Sequence, residues 1–360
     1  MKKLFLLLIL SATRNFAQPV TDPQIPFAPK SYVCYRAESP LTIDGTLDEV
    51  SWQLSLWTDD FVDIEGTVGP VPRFHTHTKM VWDDKYLYIA AKLEDPDVWA
   101  TLTERDAVIF RDNDFEVFID PDGDTHQYYE FEMNALNTVW DLLLIKPYRD
   151  DGPAVNAWDI KGLKSAVAIN GTLNKPSDTD KGWTVEIAFP WEVLKECAHK
   201  DTPPKSGDQW RINFSRVEWR MDVVHGNYIK TFDPKTGKSF PEDNWVWSPQ
   251  GLINMHCPEM WGFVQFSSKI IGTGNDAYHF RPEENAKWDL RKIYYAEKKY
   301  FEKHKQYTAD LNKLQLNDLK VNGYSSPIIQ VTSNCYEASV VSIDQKEKWH
   351  ITQDGRTWKE

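Results

Sequence analysis

The chain has 360 residues, of which 54 are acidic and 41 are basic, so its formal net charge is −13 at pH 7. A chain this acidic would be repelled by a phosphate backbone or an anionic membrane surface, which excludes nucleic acid and peripheral lipid as leading partners. Hydrophobic residues make up 41% of the sequence and charged residues 26%, values that exclude general disorder and predict a globular protein.

Residues 1–17 have the pattern of a secretory signal peptide. Lys2 and Lys3 precede the apolar run 4–10, and small or polar residues then lead to Ala17, after which we expect cleavage. The apolar run is too short to span a bilayer, since a transmembrane helix needs about 20 residues. We therefore expect a secreted or periplasmic protein without a membrane span, in which residues 18–35 form an N-terminal arm.

Four cysteines occur in the chain: Cys34, Cys197, Cys257 and Cys335. A secreted protein permits disulfides, and four cysteines allow three full pairings. They are too sparse for a disulfide scaffold, and none is spaced as Cys-x-x-Cys for zinc or redox chemistry. The sequence leaves open whether the thiols are free and buried or whether one bridge forms.

Residues 36–267 show short alternating apolar segments separated by turn residues, a pattern typical of an all-β sandwich or barrel. This many strands in one domain imply two packed sheets. The predicted strands are Thr76 to Trp82, Tyr86 to Leu93, Phe115 to Asp120, Gln127 to Met133, Thr138 to Lys146, Leu163 to Leu173, Trp183 to Phe189, Gln209 to Arg220 and Trp261 to Phe266.

Residues 268–360 predict a small α/β appendage. A helix is expected over 284–305, with aromatic and aliphatic residues on one face, and a hairpin over 337–343 and 349–352 before the Asp354-Gly355 turn. A unit of this size buries little surface alone. We expect its aromatic helix face to dock on the sandwich or on a partner protein.

Four motifs in order carry a family resemblance. They are Ile43-Asp44-Gly45-Thr46-Leu47-Asp48-Glu49 with Trp52, then Trp82-Asp83-Asp84-Lys85-Tyr86-Leu87-Tyr88, then Asn113-Asp114-Phe115-Glu116-Val117-Phe118-Ile119-Asp120, then Gly182-Trp183-Thr184-Val185-Glu186 ahead of Pro190-Trp191. Together they strongly resemble family 9 carbohydrate-binding modules over about residues 36–267. Such modules are often fused to xylan-degrading hydrolases.

The resemblance implies a two-sheet, jelly-roll-like β-sandwich with a structural calcium ion. It also implies that an oligo- or polysaccharide is held between two aromatic rings, which fall at Phe110 and Trp247 in this sequence. Glu116 matches the family's ligand-binding carboxylate. The positions that match its sugar-contacting arginine and glutamine hold Glu132 and Ser215 instead, and three nearby polar residues are expected to substitute: Asn134, Asn213 and Arg216.

The residues alone are compatible with sugar binding. A pyranose has apolar C–H faces and a polar rim, so its site needs flat aromatic surfaces beside carboxylate, amide or guanidinium groups. The chain has 16 tryptophans, most of which must fill the core of a large sandwich. The positions matched to the family lead us to predict that Trp247 and Phe110 clamp a sugar while Glu116 accepts hydrogen bonds from its hydroxyls.

Acidic residues around a glycine turn suggest a calcium site. Asp120, Asp122, Asp124 and Glu130 offer hard oxygen ligands at alternating positions, as Ca²⁺ prefers, although the pattern is not an EF-hand. The alternative is a solvated acidic turn.

Two other functions stay open. One is a glycoside hydrolase that uses a pair of Asp or Glu side chains on a face of the sandwich. The other is a haem-binding electron carrier on the same general fold, for which Met133, Met221 and His225 are available as axial ligands. The sequence favours a non-catalytic carbohydrate-binding protein.

Overall fold

The computed structural model describes residues 21–360, so the predicted signal peptide lies outside the described residues. Fifteen strands and two short helices precede residue 271. The strands are β1 (Ser31–Arg36), β2 (Val62–Asp63), β3 (Thr76–Trp82), β4 (Tyr86–Leu93), β5 (Asp114–Asp120), β6 (Tyr128–Asn134), β7 (Val139–Leu144), β8 (Ala154–Val155), β9 (Lys164–Asn170), β10 (Gly182–Pro190), β11 (Gln209–Glu218), β12 (Met221–Val224), β13 (Asn227–Lys230), β14 (Asp243–Val246) and β15 (Gly262–Ile270). The helices are α1 (Val50–Leu54) and α2 (Trp191–Leu194).

Apart from β12 and β13, which form a separate two-stranded sheet, these strands form two layers joined through β1. One layer has the order β8-β7-β6-β5-β11-β15, with β14 paired to the second half of β11 and to β2. The other has the order β1-β3-β4-β10-β9. We call the first the front sheet and the second the back sheet. β1 pairs in parallel with β15 along most of its length and with β3 at Tyr35 and Arg36, so the hydrogen bonding runs from one sheet into the other.

A continuous apolar core fills the space between the sheets. It takes alternate residues from both: Phe115, Val117 and Ile119 of β5 face one way, as do Leu87, Ile89 and Ala91 of β4. Alternation along a strand sends the intervening residues to the opposite face. This arrangement confirms the predicted all-β sandwich, and it leaves the polar residues of β5 and β6 on the outer face of the front sheet.

The first and fourth sequence motifs meet around one buried carboxylate. Glu186 on β10 accepts hydrogen bonds from the backbone N–H groups of Asp44 and Gly45 and from the indole N–H of Trp52. Gly45 has φ +88°, and a Cβ there would lie 2.6 Å from the backbone nitrogen of Ala168, so only glycine fits. The motif residues therefore brace the N-terminal loop against the back sheet.

Predicted strand bounds over β3 and β4 agree with the structure, and those of β6, β7, β9, β10 and β15 differ at their ends.

The main correction concerns the N-terminal arm. Residues 31–36 were expected to lie largely in that arm, but they form β1, which connects the two sheets. The run is short, and its sequence Ser-Tyr-Val-Cys-Tyr-Arg does not alternate cleanly between apolar and polar residues.

The C-terminal unit consists of α3 (Glu283–His304) and a four-stranded sheet, β16 (Ile328–Val331), β17 (Tyr336–Val341), β18 (Lys348–Thr352) and β19 (Thr357–Lys359). Leu290, Ile293 and Tyr294 of the helix pack on this sheet in a core of their own. The helix contacts the sandwich through buried polar groups. Arg149 donates to both oxygens of Glu259 at 2.8 and 2.9 Å and to the hydroxyl of Tyr294.

All four cysteines are free in the structure, three of them buried and Cys335 exposed. The fold therefore uses the unpaired alternative. Within residues 21–360, no helix combines the length and apolar character that crossing a bilayer requires.

Candidate functional site

A row of side chains crosses the outer face of the front sheet. Ser215 on β11 lies opposite Glu116 on β5, which lies opposite Glu132 on β6, which in turn lies opposite Trp140 on β7. In the next row Phe118 lies opposite Glu130. Residues directly opposite in an antiparallel pair have Cα atoms about 4.5–5.5 Å apart, so these side chains form one surface.

Loops around this surface enclose a pocket of about 200 Å³. This is smaller than the ~300 Å³ at which pockets for drug-sized ligands begin, and it suits a single sugar ring. Its lining comprises Phe110, Glu116, Phe118, Glu130, Glu132, Trp140, Leu142, Tyr148, Val217, Glu242, Asn244, Met255 and His256. We call it the front pocket.

Two aromatic rings stand at the rim of the front pocket. Phe110 is 37% exposed and Tyr148 is 46% exposed, so both rings are accessible to a ligand. Phe110 is held in a 3-10 turn, Ile109–Arg111, by its backbone N–H, which donates to Glu132 at 3.1 Å, and by its carbonyl, which accepts from the indole of Trp219. Tyr148 packs edge-on against His256, with ring centroids 4.4 Å apart.

The floor of the front pocket is acidic and buried. Burial raises the pKa of Glu116 to about 7. The pKa of Glu132 lies well above its ordinary value, first because it is buried and then because Glu116 and Glu130 stand beside it. Burial followed by the nearby Glu116 does the same to the pKa of Glu130. Among the described residues, no lysine or arginine lines the pocket. The floor therefore favours protonated carboxyls or a bound cation.

Of the predicted sugar-binding residues, Phe110 and Glu116 line this pocket, and Trp247 does not. Trp247 is 2% exposed and belongs to the core between the sheets, where its ring lies 5.8 Å from that of Phe214. A Cβ on Gly262 would meet the same indole at 2.3 Å, so β15 needs glycine to make room for it. The predicted clamp between Phe110 and Trp247 is wrong because Trp247 points away from the outer face.

The three polar substitutes are also committed to the fold. Asn134 donates to the carbonyl of Leu102 and to Asp112, and its oxygen accepts from two backbone N–H groups of its own turn. Asn213 exchanges hydrogen bonds with the backbone of Ser248. Arg216 is fully buried and donates to Glu218 and to the hydroxyl of Thr76. Their assignment to the sugar site is wrong.

Trp140 and Tyr148 are pocket residues that the sequence reasoning missed. Trp140 follows from the hairpin register: once Glu116 is paired with Glu132 across β5 and β6, the next strand brings Trp140 beside them. Tyr148 had no such signal, because it lies in a 3-10 turn, Tyr148–Asp150, whose position depends on distant contacts.

The predicted calcium residues separate into two places. Asp120, Asp122 and Asp124 bring one carboxylate oxygen each within 4.8 Å of one another. Glu130 does not join them and lines the front pocket instead, since the pairing of β5 with β6 places it opposite Phe118. Burial, followed by Asp122 and Asp124, holds the pKa of Asp120 well above its ordinary value. Several loop N–H groups donate to these carboxylates, and Arg356 pairs with Asp124 at 2.9 Å.

The residues considered for haem do not converge. Met133 is buried in the core between the sheets. Met221 pairs with Lys230 at one end of the β12–β13 hairpin, and His225 lies in the turn at its other end, next to the Val224–Asn227 pair. The structure therefore provides no pair of axial ligands from this set.

A larger cavity of about 650 Å³ lies where residues 22–27 approach α3 and the segment 313–316. It holds none of the predicted site residues, and its charged side chains are mostly exposed lysines. The front pocket is the better candidate because its carboxylates are buried and its aromatic rings are exposed.

Comparison with known proteins shows that a large segment of the chain matches a recognised family. Residues 43–240, more than half of the chain, match the family described as carbohydrate family 9 binding domain-like. This matched segment includes the whole of β5, β6 and β7.

Two named relatives are 31% identical to parts of the chain. Exoglucanase XynX of Acetivibrio thermocellus aligns over 152 residues, which are 42% of this chain and 12% of the relative. Endo-1,4-beta-xylanase A of Thermoanaerobacterium saccharolyticum aligns over 117 residues, which are 32% of this chain and 8% of the relative. The chain thus spans about a tenth of the length of these relatives.

Solved structures that match the chain do so at low sequence identity. A putative carbohydrate-binding protein from Bacteroides uniformis has a TM-score of 0.49 at 15% identity and covers 67% of this chain and 100% of its own. A family 9 carbohydrate-binding module from Caldicellulosiruptor kristjanssonii, solved with cellotriose, has a TM-score of 0.43 at 14% identity and covers 69% and 100%.

Proposed function

Because the chain belongs to the carbohydrate family 9 binding domain-like family, we propose that it binds an oligo- or polysaccharide without catalysis, in the front pocket. The observation that carries this proposal is the pairing of exposed rings with buried acids: Phe110 and Tyr148 at the rim, and Glu116 and Glu132 on the floor. Rings pack on the C–H faces of a pyranose, and carboxylates accept from its hydroxyls.

The relatives suggest which polysaccharides to test first. They are named as an exoglucanase and an endo-1,4-beta-xylanase, so glucan and xylan chains are the proposed ligands. The small pocket favours contact with one sugar residue, with the rest of the chain running out over the rim.

The variant Phe110→Ala should bind cello- or xylo-oligosaccharides about 2- to 10-fold more weakly than the unchanged protein. A well-placed aromatic contact is worth about 0.5–1.5 kcal/mol, and 1.4 kcal/mol corresponds to a factor of ten. Isothermal titration calorimetry measures the difference. Phe280→Ala is the matched control, because Phe280 is 44% exposed but lies outside the front pocket. Equal losses in both variants would remove Phe110 from the site.

Hydrolysis is the second candidate function, and one observation favours it. Glu116 and Glu132 bring carboxylate oxygens within 4.8 Å of each other, and both carboxyls have raised pKa values. Retaining glycosidases place their two carboxyl groups about 5–5.5 Å apart. Release of reducing sugar from glucan or xylan, lost in Glu116→Gln, would establish an enzyme and displace the binding role.

We also propose that Asp120, Asp122 and Asp124 hold a structural calcium ion. Support comes from their three convergent carboxylate oxygens and from the raised pKa of Asp120, which burial and the two neighbouring acids produce. Hard oxygen ligands of this kind suit Ca²⁺. The same turn contacts the C-terminal unit through Arg356, so an ion there would stabilise both parts.

Removing calcium with EDTA should lower the melting temperature of the purified protein, and added Ca²⁺ should restore it, since an ion that binds the folded state stabilises it. Scanning calorimetry measures the shift. In the variant Asp122→Asn, the part of the EDTA-induced change in melting temperature that comes from this turn should disappear. A melting temperature that EDTA leaves unchanged in the unaltered protein would contradict the calcium proposal.

The proposed location is outside the cytoplasm, and its support is the pattern of Lys2, Lys3 and the apolar run 4–10. N-terminal sequencing of protein isolated from its source should begin at Gln18. A chain that begins at Met1 would argue against export.

A further inference from the structure

Three carboxylates meet beneath the front pocket. Asp114, Glu116 and Glu132 each bring an oxygen within 4.8 Å of the others, and the three side chains are 0%, 5% and 2% exposed. Glu116 and Glu132 lie directly opposite each other on β5 and β6. Like charges in that position destabilise a sheet, so the cluster costs stability unless something neutralises it.

Not every oxygen of this cluster receives a hydrogen bond. Asp114 accepts from the backbone N–H of Val217 through Oδ1, while its buried Oδ2 receives no hydrogen bond from the described residues. Glu132 accepts from the N–H of Phe110 through Oε2. Oδ2 of Asp114 is therefore free to bind a further group.

Nearby Asp112 is a buried carboxylate whose oxygens are fully hydrogen-bonded within the fold. Its oxygens accept from the N–H groups of Thr101 and Leu102, the hydroxyl of Thr101 and the amide of Asn134. Leaving a buried polar group unpaired costs about 1–3 kcal/mol, and more for a charged group. The contrast between Asp112 and Asp114 indicates that the cluster is built for a ligand.

A second observation lies outside the cluster. Glu130 is 5% exposed and lines the front pocket, and its Oε2 also receives no hydrogen bond from the described residues. The nearest ring nitrogen, Nε2 of His256, is 4.0 Å from its other oxygen, and burial followed by Arg149 lowers the pKa of His256 to about 3, so this histidine is neutral. A fourth buried acid, one of whose oxygens receives no hydrogen bond from the described residues, therefore lines the same pocket.

We propose that a divalent cation, Ca²⁺, is bound by Asp114, Glu116 and Glu132 at the floor of the front pocket. Three acidic oxygens balance a doubly charged ion better than they balance a single ammonium group. Asp114 is 0% exposed and does not line the pocket, so it lies out of reach of a sugar ring. Calcium takes 6–8 oxygen ligands, so positions remain on the pocket side. Resting on the proposed function, those positions hold sugar hydroxyls and make sugar binding calcium-dependent.

The metal site is tested first without sugar. Calorimetric titration of Ca²⁺ into the metal-free full-length protein should show a site that Glu132→Gln weakens about 10-fold or more, the effect expected when a ligand is altered. Asp122→Asn should retain this site, which separates it from the turn at residues 120–124. Asp201→Asn is the control: Asp201 is an exposed acid that pairs with Lys205 and lies outside the cluster, so Ca²⁺ affinity should not change.

Folding of the variant is checked by its melting temperature in EDTA. Glu132→Gln removes a like-charged pair, so the metal-free variant should melt at or above the temperature of the unchanged protein. Ca²⁺ binding that is identical in the unchanged protein and in Glu132→Gln would overturn the metal site. Binding of glucosamine oligomers without any uptake of Ca²⁺ would overturn it in favour of a cationic sugar.

Sugar titrations with Ca²⁺ and with EDTA then separate the two proposals. Loss of affinity in EDTA supports the bridging role. If the protein binds Ca²⁺ but its sugar affinity is the same in EDTA, the metal site is supported and the proposed contact between the ion and the sugar is overturned. No sugar binding under either condition overturns the proposed function, while the sugar-free titration still decides the metal site.

Discussion

Replacing Trp247 with alanine should lower the free energy of unfolding by about 3–5 kcal/mol, the usual cost of removing a large aromatic side chain from a core. The indole is 2% exposed, packs on Phe214 and fills the space that Gly262 leaves open. Chemical denaturation measures the loss. A change below 1 kcal/mol would show that Trp247 is not a core residue.

Sugar affinity should depend on Trp140 and not on Trp247, whereas stability should depend more on Trp247. The gentler variant Trp247→Phe, which retains an aromatic core, should keep the sugar affinity of the unchanged protein. Trp140→Ala, at the half-buried wall of the front pocket, should lose affinity with a smaller loss of stability. If Trp247→Phe is the one that loses sugar affinity while it remains folded, the ligand lies elsewhere and the front pocket is the wrong site.

Replacing Glu259 with glutamine should destabilise the protein by about 3–5 kcal/mol, the usual cost of breaking a buried ion pair from one side. Glu259 accepts two hydrogen bonds from Arg149, which is itself buried, and contacts the hydroxyl of Tyr295 on α3. Without the carboxylate, the guanidinium groups of Arg149 and Arg291 would face each other across a buried space. Urea denaturation of the two proteins at pH 7 measures the difference.

The same ion pair predicts sensitivity to acid. Burial alone would raise the pKa of Glu259, but Arg149 and Arg291 outweigh it and lower the pKa from 4.5 to about 2. A carboxyl with a lowered folded pKa stabilises the protein fully above its unfolded pKa and loses that contribution as the pH falls. At 1.36 kcal/mol per pKa unit, about 3 kcal/mol should disappear between pH 4.5 and 2.

In Glu259→Gln, the loss of stability on acidification that comes from Glu259 should be absent. The free energy of unfolding of the variant and of the unchanged protein is therefore compared at pH 5 and at pH 3. Tyr148 of the front pocket lies in the same turn as Arg149, so sugar affinity should weaken in this variant as well. An unchanged acid response would show that the ion pair does not hold the C-terminal unit in solution.

Sequence alone was sufficient for the sandwich and for part of the site. Alternation over 76–82 and 86–93 defines β3 and β4, and the motif around Glu116 places that residue on a strand with its neighbours facing the core. The residue types carry this information because burial of one face forces a period of two. The family resemblance correctly selected Phe110 and Glu116 as residues of one pocket.

The errors arose where sequence distance and spatial distance disagree. Glu130 is near Asp120 along the chain, but the hairpin register carries it to the front pocket. Trp247 lies just beyond β14, a strand of four residues, and so short a segment cannot show which of its faces meets the core. Asn134, Asn213 and Arg216 are polar, yet their hydrogen bonds are used by loops and strand ends that only the tertiary structure reveals.

The joining of the two sheets by β1 has a consequence for how the chain reaches its native state. Tyr32 pairs with Val264, a separation of 232 residues (264 − 32). Contacts this distant in sequence raise the contact order, and folding slows as contact order rises. Local hairpins such as β3–β4 and β5–β6 can pair early, but β1 has no parallel partner on the front sheet until β15 has been synthesised. Among the described residues, the strand that is synthesised first is therefore among the last to take its place.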